Sequence, residues 1–307
     1  VVTATLGIDG HDDALAAVTV GSILDQLRVQ YRRGVDADLV GAGVEQTLHI
    51  AHFAHATSDR QRNEYLGCHV LEEDGPAGVI TSIQVGETAV IGHLVVSAEA
   101  RGKKVGRRLL EGTLSELDAA GARSVVVFST PAAEGLYRSC GFRPSRPLVS
   151  MGFTVGEEEG RPACAPLVDD DLAEICALDE GVFGDDRSGL LMGLYREYPD
   201  LCYKDVHGGD ITGYVFARRN PLGGDLGPMC STTGTPEDAL SLVESVLYRF
   251  RGERLDLGFF DDVPALRPLI ESRVSVKRIP VRLMVRGDER YGTDRVGALG
   301  IAGFELG

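Results

Sequence analysis

The sequence predicts an α/β chain, α+β in its detail, of two domains, each a mixed and mainly antiparallel sheet flanked by helices. Three observations lead there. First, 307 residues exceed one typical domain. Second, short β-branched runs follow one another across tight turn signals, with amphipathic stretches between them. Third, charge is unevenly divided: up to Val155 there are 14 Lys and Arg against 18 Asp and Glu, a net of −4, and the remainder carries 17 against 28, a net of −11, together the −15 of the whole chain. The glutamate-rich, proline-ended stretch at residues 156–162 separates them, so residues 1–155 and 163–307 are read as the two domains.

Taken in order, Val2 to Ile8 reads as a first strand. Asp12 and Asp13 open a helix toward Tyr31, and a second helical stretch runs from about Val44 to Phe53. Gly67–Leu71, Gly78–Val85 and Ala89–Val96 read as three strands joined by turns at Glu73-Asp74-Gly75-Pro76 and Gly86-Glu87. Val105, Leu109, Leu110, Leu114 and Leu117 recur at helical spacing, and Gly121 marks the stop. Arg123–Phe128 is a buried strand, and Pro147–Val155 a closing one. Beyond residue 162 come helices at Asp169–Leu178 and around Leu190–Leu194, and a hairpin turning at His207-Gly208-Gly209-Asp210. A strand at Asp225–Ser231 follows, then a helix started by Thr235-Pro236-Glu237-Asp238 and a strand at Arg254–Phe260. A short helix at Pro264–Ser272 and a last long strand at Ile279–Val285 complete a repeat of the first half's element order, without its sequence.

The chemistry concentrates between Val90 and Gly121. An apolar strand feeds a turn holding Arg101, Gly102, Lys103, Lys104 and Gly106, and a helix follows. The first amides of a helix have no internal acceptor, and the helix dipole adds positive charge there, so this is a natural anion site. Arg101, Lys103, Lys104, Arg107 and Arg108 place five cations within eight residues of an acidic chain. Cations at a helix start oppose its dipole unless something negative sits beside them, which points to a bound phosphate rather than a merely solvated turn.

Arg101-Gly102-Lys103-Lys104-Val105-Gly106 resembles the acyl-CoA pyrophosphate loop of the GNAT N-acetyltransferase superfamily, R/Q-x-x-G-x-G/A. Leu94-Val95-Val96 is similar to that family's pantetheine-binding strand. Ala133 to Phe142 resembles its A-x-x-L-Y-x-x-x-G-F segment, at the spacing the family uses. The chain departs from the pattern at Lys104 in place of the loop's middle glycine, at Ala98 in place of a proline and at Thr130 in place of an asparagine. Glycine lets backbone approach a phosphate closely, so Lys104 either adds a charge contact or weakens binding. The second half offers Gly227 to Thr235, without the basic double-glycine loop, where the first has its turn. Its Phe183-Gly184 and Asp186-Arg187 pairs, with the tail Gly300 to Gly307, resemble the second halves of tandem GNAT proteins, which implies a degenerate second GNAT domain.

The resemblance implies acetyl transfer from acetyl-CoA to a primary amine of a small molecule or peptide by direct attack. Such transfer needs a held and polarised carbonyl, a deprotonated amine and a protonated leaving thiolate. Leu94, Val95 and Val96 would hold pantetheine and carbonyl, and Arg101 to Arg107 the pyrophosphate. Tyr137 falls where the family places a phenol beside the sulfur as acid; its simpler role is packing. His93, which titrates near neutrality, and Glu87, at the strand's start, are the candidate bases, each also readable as structural. The alternative is a catalytically weak, CoA-binding regulatory or scaffold protein, motivated by Lys104 and the missing second loop.

Other classes fit less well. No G-x-x-x-x-G-K-[ST] phosphate loop occurs. The acidity disfavours nucleic acid and suits a cationic acceptor. No apolar run approaches the roughly 20 residues that cross a bilayer, and no signal peptide is evident, so no membrane partner and a cytoplasmic setting are expected. Six scattered cysteines, without C-x-x-C, predict free thiols rather than zinc or disulfides. His49, His52 and His55 share a helical face, but no further ligand joins them, so no metal is expected. A homodimer is compatible with everything above.

Overall fold

A computed structural model describes residues 3–5, 65–72, 76–97, 100–220, 223–266, 268, 278–304 and 306. The helices expected between Asp12 and Phe53, with the three histidines of the second, lie outside the described residues. In the first half the elements are β1 (Thr3–Thr5), β2 (Tyr65–Glu72), β3 (Pro76–Val85), β4 (Thr88–Val96), α1 (Val105–Ala119), β5 (Ser124–Ser129), α2 (Glu134–Ser139) and β6 (Arg143–Thr154). The second half holds β7 (Ala165–Pro166), α3 (Leu172–Phe183), α4 (Ser188–Glu197), β8 (Cys202–His207), β9 (Asp210–Asn220), β10 (Gly223–Ser231), α5 (Pro236–Leu247), β11 (Arg254–Phe260), β12 (Arg278–Gly287) and β13 (Ala298–Gly300). Single turns of 3-10 helix sit at Asp169–Asp171, Pro199–Leu201 and Pro264–Leu266.

These strands form one sheet in the order β1-β2-β3-β4-β5-β12-β6-β11-β13-β10-β9-β8-β7. Neighbours are antiparallel except β4 with β5 and β10 with β11, which run parallel. The two halves are interleaved. β12, late in the chain, lies between β5 and β6 of the first half, and β6 pairs with β11 of the second.

Period-2 alternation sorts the side chains onto two faces. Ile80, Ala89, Ile91, Val125, Val127 and Met284 face α1 and α2, meeting Val105, Leu109, Leu110, Leu114 and Leu117. The intervening Ile83, Val90, Val126, Leu283 and Val285 join a larger core shared with α3, α4 and α5. Helix α1 is fixed by that stripe, and each buried leucine is worth roughly 2 kcal/mol. It ends as its sequence requires, with Gly121 in the left-handed region at φ 85° and the Ala122 amide closing on Leu117 O at 2.9 Å. Segment 156–162 is docked rather than loose: Arg251 donates to the carbonyls of Glu159 and Gly160, both at 2.6 Å.

Buried ion pairs cement the join. Arg146 on β6, 1 % exposed, donates to both oxygens of Asp262 beyond β11 and lies 3.7 Å from the Phe260 ring centroid. In the second half Arg187 forks onto Asp179 at 2.7 and 3.1 Å, Tyr214 donates to the same carboxylate, and Arg187 also reaches the Tyr291 hydroxyl. The loss of either acid would strand a buried guanidinium in the core.

Candidate functional site

The site is built on the parting of two parallel strands. Strands β4 and β5 pair from Thr88↔Ser124 to Ile91↔Val127 and then separate. The separation has a local cause. Between Ile91 and Leu94, β4 spends one residue more than β3 opposite it, a bulge at Gly92-His93. A bulge bends its strand and increases local twist, so β4 turns away from β5 while staying hydrogen-bonded to β3. Leu94, Val95 and Val96 continue along β3, opposite Ile80, Val79 and Gly78. Strand β5 instead follows β12, with Phe128 opposite Leu283 and Ser129 opposite Arg282. No described element lies between the two edges past Ile91.

The cationic turn stands at the far end of β4. Arg101, Gly102, Lys103 and Lys104 are all exposed. The Gly102 φ is 78°, and a Cβ there would meet nothing within 4 Å. Lys104 precedes the helix at φ 63°, the one non-glycine residue at positive φ among those described. Helix α1 has no acid in its first turn, and no side chain caps its leading amides, which follow directly on the cations Arg101, Lys103 and Lys104. Gly106 is half-buried, and a Cβ on it would touch Val96 and Leu136 at 3.4 and 3.7 Å, so strand, helix start and α2 converge there. Arg107 is partly engaged with Glu111 at 3.1 Å.

Tyr137, on the six-residue α2, is 5 % exposed and packs edge-on against Phe142 at 5.7 Å between centroids. Burial pushes its phenol up to about 12, so it stays protonated across the neutral range. It belongs to the same cluster as Ile91, Val105 and Val127, on the α1 side of the parting. His93 sits in the bulge itself, its backbone amide donating to Thr81 Oγ1 at 2.9 Å. Glu87 lies at the opposite end of β4, in the turn. Arg290 donates to its carboxylate and Arg123 pairs with it at 3.6 Å. The Arg290 hydrogen bond, with Arg123 behind it, holds this carboxyl below the usual range despite some desolvation. The fold therefore sets His93, Leu94–Val96 and the cationic turn in succession along and beyond the free part of β4, keeps Tyr137 in the cluster on the α1 side, and leaves Glu87 at the strand's other end.

The second half repeats the framework and fills it. Strands β10 and β11 pair in parallel over four residue pairs, Gly223↔Arg254 to Leu226↔Leu257, the same number as β4 and β5. Where they part, β13 enters: Met229 and Cys230 pair with Gly300 and Ala298, and Phe259 with Gly300. The Ile301 amide continues to Gly258 O at 3.0 Å, and the Ser231 amide to Gly297 O at 3.1 Å. The helix start beyond is also satisfied internally. Thr235 caps α5, while Thr233 and Thr235 donate to Asp238 at 2.6 and 2.7 Å. Asp205 and Asp238 flank His207 at 3.1 and 3.2 Å, and the three groups could hold a cation, with their ligand atoms within 4.8 Å of one another. An internal carboxylate thus stands where the first half presents lysines and arginines.

β13 escaped the sequence reading. Its signal is slight: a three-residue strand in a glycine-rich tail with no alternating pattern.

Among the described residues no helix is long and apolar enough to cross a membrane. The family profile of the acetyltransferase (GNAT) domain matches residues 35–153, and a second profile of the same description matches residues 175–296. No curated protein matches in sequence. Solved structures share the architecture. A Pyrococcus horikoshii protein assigned as an acetyltransferase is 15 % identical, with a TM-score of 0.69 over 99 % of this chain and 96 % of its own. A GCN5-related N-acetyltransferase from Sphaerobacter thermophilus is 16 % identical, with a TM-score of 0.58 over 93 % and 95 %. A tandem GNAT protein from the clavulanic acid biosynthesis pathway is 13 % identical, with a TM-score of 0.56 over 93 % and 98 %.

Proposed function

The chain belongs to the GNAT acetyltransferase superfamily as a tandem member, and from that premise we propose that its first half transfers an acetyl group from acetyl-CoA to a primary amine. The observation that carries this reading is the unfilled parting of β4 and β5 beside an exposed cationic turn. The open edge of Leu94–Val96 offers backbone partners to the amide-bearing arm of the carrier. The turn from Arg101 to Arg107, with the leading amides of α1, offers cations and donors to its pyrophosphate.

In this reading His93, in the bulge at the mouth of the opening, takes the proton from the incoming ammonium, directly or through water. The freed amine attacks the thioester carbon while β4 amides polarise the carbonyl. Tyr137 donates a hydrogen bond to the departing sulfur. With its phenol near 12 and a thiol near 9, complete proton transfer would be uphill by about 4 kcal/mol, so hydrogen bonding is the larger part of its task. Glu87 is a structural group, fastening the β3–β4 turn to Arg290 and Arg123. The acidic chain draws a protonated amine toward the site.

The second half is the degenerate copy, its parting taken by β13 and its helix start by Asp238. One acetyl-CoA per chain is therefore expected by calorimetry. Thiol release with a panel of primary amines tests the transfer. Lys104 favours one other reading, a CoA-binding protein without turnover, because a Cβ stands where the family's loop has none. Stoichiometric binding with no thiol release for any amine would select it; absent binding would remove both.

A further inference from the structure

The end of the chain has a second place of action. Phe128 directly follows Val127, the last β5 residue to pair with β4, so it stands level with Gly92-His93 across the opening. Val125 and Val127 pack with α1, whereas Phe128 packs with the core on the opposite face. It is half-buried there, and two rings meet it edge-on: Tyr291 at 6.1 Å and Phe304 at 5.8 Å between centroids. The Tyr291 hydroxyl is turned away to Arg187 Nη1 at 3.2 Å, so this residue offers Phe128 only carbon.

Phe304 is brought there by β13. The strand anchors residues 298–300 between β10 and β11, Ile301 closes on Gly258 O, and Leu306 is buried beyond. Room for the ring comes from Gly258, where a Cβ would lie 2.9 Å from Phe304 Cζ and 2.9 Å from Ile301 Cδ1. The segment that closes the second half's parting thereby delivers a half-buried aromatic to the mouth of the first half's.

We propose that Phe304, with Phe128, forms an aromatic wall for the acceptor, and that the preferred acceptor is a primary amine on an apolar, ring-sized body. This rests on the acetyl-transfer reading of the same site. Contacts with two half-buried rings reward an apolar body over a hydroxyl, and over a second ammonium, whose dehydration offsets the small cation–π gain of a partly exposed ring.

The test compares phenethylamine, ethanolamine and 1,4-diaminobutane as acceptors with wild type, Phe304→Ala and Phe304→Leu, after thermal melts establish that the variants fold. Wild type should favour phenethylamine over ethanolamine in kcat/KM by about tenfold, the scale of one apolar pocket contact. Phe304→Ala should erase that ratio by raising the phenethylamine KM about tenfold with the acetyl-CoA Kd unchanged, and Phe304→Leu should keep most of it. A preference for ethanolamine or the diamine, or an equal loss for all three amines, overturns the proposal. Absent turnover with every amine sinks the transfer reading instead. The wall is then judged by calorimetry of phenethylamine with CoA present, where failure to bind wild type, or equal binding to Phe304→Ala, overturns it.

Discussion

At the scale of the residue, Lys104 sets two demands against each other. Its φ of 63° costs an L-residue about 1 kcal/mol or more, which the family's glycine would avoid. Its ammonium, however, adds charge at a site built for phosphate. Lys104→Gly is expected to raise Tm by a few degrees, since relief of roughly 1 kcal/mol exceeds what the unfolded chain regains. Lys104→Ala keeps the strain and loses the charge, so its acetyl-CoA Kd should rise about fivefold, near the 1 kcal/mol of one exposed charge contact. Calorimetry and thermal melts on both variants separate the terms; equal Kd values for wild type and Lys104→Ala would remove the charge contact. Tyr137 is the other informative residue. If it donates only a hydrogen bond, Tyr137→Phe should lower kcat by about 10²-fold, the low end for positioned acids, with the acetyl-CoA Kd unchanged. An unaltered kcat would reduce it to a packing residue against Phe142.

At the scale of the element, the two strand partings explain what could and could not be read beforehand. The strand, turn and helix at the first parting were legible because they are local: a β-branched strand, a turn with two glycines and five cations, a helix with a leucine stripe. Those signals act within 30 residues. The bulge at Gly92-His93 and the pairing with β5 that make the parting were not legible. Nor was the plug in the second parting, because β13 gains its place through partners some 40 and 70 residues upstream, Phe259 and Met229, and carries no pattern of its own. The cap of α5 was legible as Thr-Pro-Glu-Asp, while the approach of His207 to Asp238 was not, since it depends on the β8–β9 hairpin folding back. That approach has a pH signature. The Asp205 hydrogen bond, with the charges of Asp205 and Asp238, raises His207 above its ordinary 6.5. A raised folded pKa gives stability that is complete below 6.5 and lost as pH rises through the folded value. Tm should therefore fall with rising pH above 6.5 in wild type and fall less in His207→Gln, most visibly at low salt. Parallel Tm profiles for the two proteins would show that the histidine is not coupled to folding.

At the scale of the molecule, the repeat in the sequence suggests two independent domains, yet the sheet runs through both. A strand's period reveals which residues share a face and not which strand lies beside it. Residues 279–285 were therefore legible as a strand, while their place between β5 and β6 was not. The consequence is a folding prediction. A chain ending at residue 162 would lack Val281, Leu283, Met284 and Val285, which fill the cores on both faces of the first half's sheet. Four such side chains at roughly 2 kcal/mol each amount to about 8 kcal/mol, as large as the whole stability of a typical domain. Strand β5 would also lose its neighbour β12, and β6 both of its neighbours, β12 and β11, leaving unpaired edges open to pairing with other chains. The truncated chain is expected to melt without a cooperative transition and to self-associate. Co-expression with residues 163–307 should restore a single transition and one acetyl-CoA site, because β12 is then supplied in trans. A monomeric fragment that melts sharply and binds acetyl-CoA unaided would show that the first half completes its own sheet without β12.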